Sequence, residues 1–189
     1  APCDRHGRQW QPAGMPRAGP GVWPLNAPPT LPLPLLGWRE WVSLPALGLE
    51  HIKAKVDTGA RTSCLHAFRV RGFRKSGLLW VRFGMHPDQG STARVVECEA
   101  RVIDRRAVTD SGGHTQQRYV IESAIVAGEV TWPAEITLTN RDTMRFRMLI
   151  GRTAMKGRFL VDPSRSFLAG GPAPEPDDEL LADREETEL

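Results

Sequence analysis

Residues 52–60, Ile-Lys-Ala-Lys-Val-Asp-Thr-Gly-Ala, put a carboxylate where a strand runs out. Ile52, Ala54 and Val56 alternate with Lys53 and Lys55, the period-two pattern of a half-buried strand. Asp57 follows at its end, then the Thr58 hydroxyl, then Gly59, which lets backbone groups approach closely. A carboxylate held this way is suited to act as a general acid or base. The same tripeptide also closes ordinary turns, so its surroundings decide between the two readings. Two further elements stand downstream. Asp110-Ser111-Gly112-Gly113-His114 is a glycine-centred hairpin tip, and Met148-Leu149-Ile150-Gly151-Arg152 is an apolar strand ending in Gly-Arg.

The elements that position these residues are mostly strands. Glu40 to Leu44 and Ile52 to Val56 alternate around a turn at Pro45 to Gly48. Leu78 to Met85, Arg94 to Asp104, Gln117 to Ala127, Glu129 to Thr139 and Arg145 to Ile150 show the same period, with turn signals between them. Only Arg152 to Lys156 suggests a helical turn. Many short strands of this kind predict an all-β barrel or sandwich. Residues 1–36 carry nine prolines and little periodicity, so they read as a linker-like, disordered leader. Residues 170–189 open on a Gly/Pro break and continue as an acidic, solvated tail. The folded domain is expected over 37–169.

Composition sets outer bounds. The chain has 189 residues, 40% hydrophobic and 25% charged, as in globular proteins, and is long enough to bury a core. Its net charge of +3 is uneven: residues 175–189 sum to −7, leaving +10 for the rest. A basic body attracts acidic partners. The arginines are scattered through strands without interleaved aromatics, which disfavours nucleic acid. Cys3, Cys64 and Cys98 are odd in number and lack metal-type spacing. That disfavours a disulfide framework and favours a reducing cytoplasm, with Cys64 and Cys98 as small buried apolar groups. No apolar run reaches the roughly 18 residues of a membrane span, and Leu31 to Leu36 is short and broken by prolines.

The order of the motifs resembles that of a retropepsin, the single-domain, homodimeric aspartic peptidase. Gly37 to Val42, Lys53 to Ser63, Leu65 to Ala67, Val108 to His114, Leu138 to Asp142 and Met148 to Arg152 look like successive blocks of one bacterial group. That is the retropepsin-like family often labelled "ATP-dependent zinc protease", associated with enzymes that add glutamates to a ribosomal protein. The likeness spans nearly all of 37–169 and excludes the leader and tail. No Walker-type phosphate loop supports the "ATP-dependent" part of that label.

The resemblance implies a closed all-β barrel with a glycine-rich flap and at most one short helix. It implies Asp57, Thr58 and Gly59 as the catalytic loop, supported from behind by Ile150, Gly151 and Arg152. Ala60, Arg61, Gly112, Gly113 and His114 would meet a peptide or protein substrate. One chain supplies one Asp57, so a homodimer would be needed to bring two carboxylates to one water. Arg61 departs from the acidic residue many retropepsins carry there, and points to an acidic substrate such as a poly-glutamate tail. No cofactor and no metal are expected. A zinc-dependent alternative lacks a His-Glu-x-x-His segment and would draw on Asp57, His66 and His114. A second alternative is a non-catalytic module of the same fold that binds a ribosomal or ligase partner.

Overall fold

The computed structural model describes residues 33–109, 113–140 and 145–172. Gly112 of the expected flap tip, and most of the leader and acidic tail, lie outside them. Among the described residues the strands are β1 (Leu35–Gly37), β2 (Arg39–Leu44), β3 (Leu49–Asp57), β4 (Ser63–His66), β5 (Phe68–Lys75), β6 (Leu78–Met85), β7 (Val96–Thr109), β8 (Thr115–Ala127), β9 (Val130–Thr139), β10 (Met148–Gly151) and β11 (Leu160–Asp162). One helical turn, α1 (Arg152–Met155), follows β10.

Six strands close into a barrel in the order β2-β3-β10-β4-β9-β8, with β8 returning to β2 at Ser43 and Val126. Beyond β8 the sheet continues through β7 and β6 to the edge strand β5. Leu44, Ile52, Ala54, Leu65, Ile121, Ile136, Met148 and Ile150 are fully buried in the core. Each large aliphatic among them contributes roughly 1.5–3 kcal/mol by leaving water. The all-β closed barrel expected from the motif order is the architecture found.

Four strands escaped the alternation analysis, each for a physical reason. The short β4 is buried at every position, so it has no polar face to alternate with. The edge strand β5 pairs only with β6 and carries Arg69, Arg71, Arg74 and Lys75, the charged dressing that protects an open edge. The three-residue strands β1 and β11 exist only as a parallel pair, Leu35 beside Leu160, and β1 begins before residue 37. Strand β7 also runs past Asp104 to Thr109. A bulge at Ile103 inserts one residue between the Val102–Ile121 and Asp104–Val120 pairs, and the charged run Asp104-Arg105-Arg106 follows it, which interrupts the apolar alternation. Trp132 is buried, edge-on to Phe159 at 4.7 Å, whereas Trp38 sits at the bend between β1 and β2.

Two buried polar contacts tie the frame together. Glu40 is completely buried and accepts the backbone N–H groups of Gly37, Leu168 and Ala169. Burial pushes this carboxyl above the usual range, while the three N–H donors oppose the shift. Glu40 thereby fastens the segment after β11, and the end of β1, onto β2. The second contact lies under the Asp57 loop. The parallel ladder of β3 and β10 sets Ile150 beside Val56 and Gly151 beside Asp57, while β10 pairs antiparallel with β4 on its other side. The chain therefore leaves β3, loops over the end of β10, and returns along β4. A Cβ on Gly151 would fall 2.5 Å from the Thr62 carbonyl carbon and 2.8 Å from the Ser63 nitrogen.

Gly151→Ala is therefore expected to cost roughly 2–4 kcal/mol, because both colliding atoms are backbone. Glu40→Ala, which orphans three buried N–H groups, should cost roughly 3 kcal/mol or more and lower Tm by roughly 10 °C. Thermal denaturation followed by circular dichroism checks both.

Candidate active site

Asp57 ends β3 inside the barrel wall and turns its carboxylate toward a cleft. Oδ1 accepts the Gly59 N–H at 2.9 Å and the Ala60 N–H at 2.9 Å. Both bonds fall on one oxygen, and Oδ2 has no hydrogen-bond partner among the described residues. The turn that Asp-Thr-Gly encodes is thus real, and its product is an oriented carboxylate.

The loop after Asp57 is held by the start of α1. The Arg152 guanidinium donates to the Thr58 carbonyl at 3.2 Å and the Gly59 carbonyl at 3.3 Å. The Arg152 backbone N–H reaches the Ala60 carbonyl at 2.9 Å. Thr153 donates twice to the Arg61 carbonyl, from its N–H at 3.1 Å and its hydroxyl at 2.9 Å. Beneath them the Gly151 N–H donates to Ser63 Oγ at 3.1 Å in a buried contact. Every carbonyl from Thr58 to Arg61 is therefore anchored. Ser63 and Thr153 were missed as site residues in the sequence. Nothing local marks them, since their partners lie about 90 residues away and are set by register alone.

The cleft over this loop has a volume of about 970 Å³. Asp57, Gly59, Ala60 and Arg61 form one side of it, and the stem of the β7–β8 hairpin, Arg106 to Thr109, forms another. The expected flap residues Gly113 and His114 are exposed at the hairpin end and are not part of this lining. Gly113 adopts φ +83°, a left-handed conformation that glycine tolerates best. Thr58 is exposed beside the cleft, and Ile150 is buried behind it.

The cleft lining carries Arg61, Arg106 and Arg118 against Asp57 and Glu135, a small basic excess. Arg106 bonds Asp104 and Glu135, each at 2.6 Å. The Arg106 guanidinium, followed by the Arg105 N–H, holds the Asp104 carboxyl below its ordinary range. Arg118 also lines the cleft and is 7% exposed, an unusual state for an arginine. No motif in the sequence singled it out.

The alternative metal set is not assembled. His66 is buried at the far end of β4, beside Thr139 and past the Met148–Leu65 pair, whereas Asp57 sits at the Gly151 end of β10. Among the described residues no three His, Cys, Asp or Glu side chains are grouped to hold a metal ion. These residues do not fit a zinc centre built on Asp57, His66 and His114. Among the described residues no helix is long and apolar enough to cross a membrane.

Comparison with known proteins agrees with this geometry. Residues 35–172 match the model of a family described as RimB-like, retropepsin-like aspartic endopeptidase RimB. Over 136 residues, 72% of this chain, it is 50% identical to a probable alpha-L-glutamate ligase of Shewanella pealeana and 51% identical to one of Shewanella halifaxensis. A protein of the same name from Parasynechococcus marenigrum is 49% identical over the same length. The matched segment is about 30% of the length of these relatives. A crystal structure of a Legionella pneumophila protein of unknown function superposes with a TM-score of 0.62 at 24% identity. It covers 72% of this chain and 98% of that one, a likeness of fold. With its barrel, its Asp-Thr-Gly loop seated on an apolar-Gly strand, and this match, the chain belongs to the RimB-like family of retropepsin-like aspartic endopeptidases.

Proposed function

We propose that this domain is an aspartic peptidase that works as a homodimer, with Asp57 of each copy flanking one water. The observation that carries this reading is the Asp57 carboxylate itself, fixed through one oxygen by two N–H groups in the lining of a large cleft. Two carboxylates roughly 3 Å apart cannot both ionise at low cost, so the pair shares one proton. The ionised member takes a proton from water as the water oxygen adds to the scissile carbonyl carbon. The protonated member gives its proton to the carbonyl oxygen. Collapse of the tetrahedral intermediate then returns a proton to the nitrogen and breaks the C–N bond. In this reading Thr58, exposed on the loop, would bond its counterpart across the two-fold axis. The hairpin above the cleft would exclude water and order the peptide.

The basic cleft, with Arg61, Arg106 and Arg118 in its lining, supports an acidic peptide as substrate. Similarity to proteins named for alpha-L-glutamate ligation supports a glutamate-containing one. Those names, which are not peptidase names, also favour a second reading, a binding module that keeps the fold without cleaving. Cysteine usage supports a cytoplasmic setting.

Asp57→Asn separates the two readings. The peptidase reading expects cleavage of a glutamate-rich peptide to fall at least roughly a thousandfold, with folding and dimer unchanged. Mass spectrometry of the products reads the first, analytical ultracentrifugation the second. An active strict monomer, or an Asn variant that cleaves as well as the parent, would sink the dyad.

A further inference from the structure

Arg118 stands on β8 directly opposite Arg106 on β7. Like charges in direct cross-strand register oppose pairing, and burying a cation without a counter-charge is costly. Arg106 is compensated by Glu135 and Asp104. Glu135, the acid of the β9 wall within the cleft, is thereby engaged. Among the described residues Arg118 finds no such relief. It is more than nine-tenths buried, its Nε is buried with no hydrogen-bond partner, and its guanidinium makes no hydrogen bond to any described residue. Yet it lines the same cleft as Asp57. A buried, planar fork of donors without an acceptor, facing open space, matches the geometry of an incoming carboxylate.

We infer that Arg118 is a specificity-determining residue that receives an acidic side chain of the substrate peptide, supplying in the complex the counter-charge that no described residue provides. The inference rests on the peptidase reading for its substrate but can be tested without turnover. Arg106 stays engaged by Asp104 and Glu135 and shapes the wall. Arg118 reads the charge, and its fork favours a carboxylate over the isosteric amide. The arginine is already desolvated and positioned in the free protein, so little reorganisation accompanies peptide entry.

The test uses the full chain with Asp57→Asn, so that peptide is bound and not consumed, and titrates it with hexaglutamate and hexaglutamine in a calorimeter. Asp57→Asn should prefer hexaglutamate. Adding Arg118→Met should weaken hexaglutamate binding roughly 10- to 150-fold, as expected for a bond to a charged group, and leave hexaglutamine unchanged. Arg118→Lys, a point charge without the fork, should fall between the two. Because Met removes an unpaired buried charge, Tm should hold or rise. Unchanged hexaglutamate affinity in the Met variant overturns the inference. So does equal loss of both peptides with a lowered Tm, or failure of the Met and Lys variants to fold, since each shows a structural role. A change in oligomeric state with the glutamate preference intact also overturns it, by assigning Arg118 to the contact between copies. If wild type cleaves nothing while Arg118-dependent hexaglutamate binding persists, the peptidase reading falls and this inference stands. If wild type cleaves neutral peptides and Asp57→Asn shows no glutamate preference, the reverse holds.

Discussion

The loop that carries Asp57 lies directly on the backbone of Gly151, and the rest of the site depends on that contact. Strand β10 is inserted between β3 and β4, so the chain must pass over its end to get from one to the other. The crossing is close enough that no side chain fits at Gly151. Because the fit is backbone on backbone, it transmits the rigidity of the barrel to the loop without an intervening rotamer. Arg152 and Thr153 then fix the loop carbonyls, and beneath them Ser63 Oγ accepts the Gly151 N–H. The carboxylate inherits its orientation from the sheet, which suits catalysis that works by preorganisation.

The same barrel is stabilised by apolar burial but aligned by a few buried polar groups. Glu40 collects three N–H donors from segments well over a hundred residues apart, a register lock that a purely apolar contact would leave free to slide. At the cleft the logic is reversed. Arg106 is fully compensated, and its cross-strand neighbour Arg118 is not. One fold thus contains a satisfied polar network that holds structure and an unsatisfied cation at a binding surface. Their difference is whether the protein itself supplies the partner.

Much of the fold and part of the site were legible in the order of residues. Asp57-Thr58-Gly59 and Ile150-Gly151 could be read because each is a contiguous run whose local geometry follows from residue type. The long strands β3, β6, β8 and β9 could be read because one face is buried and the other wet. β4 could not, being buried on both faces, and the outer half of β7 could not, because past the bulge at Ile103 the charged run Asp104-Arg105-Arg106 breaks the apolar alternation. The proposed metal ligands failed for a related reason. His66 is near Asp57 in sequence, but an antiparallel step of β4 along β10 carries it to the other end of the strand.

By itself the sequence determined the all-β class, the carboxylate at a strand end, the apolar-Gly strand that would support it, and the basic character of the body. These are properties of residue type and short-range period, which act within a few positions along the chain. Only the tertiary structure decided which hydroxyls brace the loop, that the hairpin stem and not its described tip lines the cleft, and that Arg118 is buried there with no counter-charge among the described residues. Those facts depend on strand register between segments tens of residues apart. Register is chosen by the whole barrel's burial of apolar faces, and no single segment carries that information.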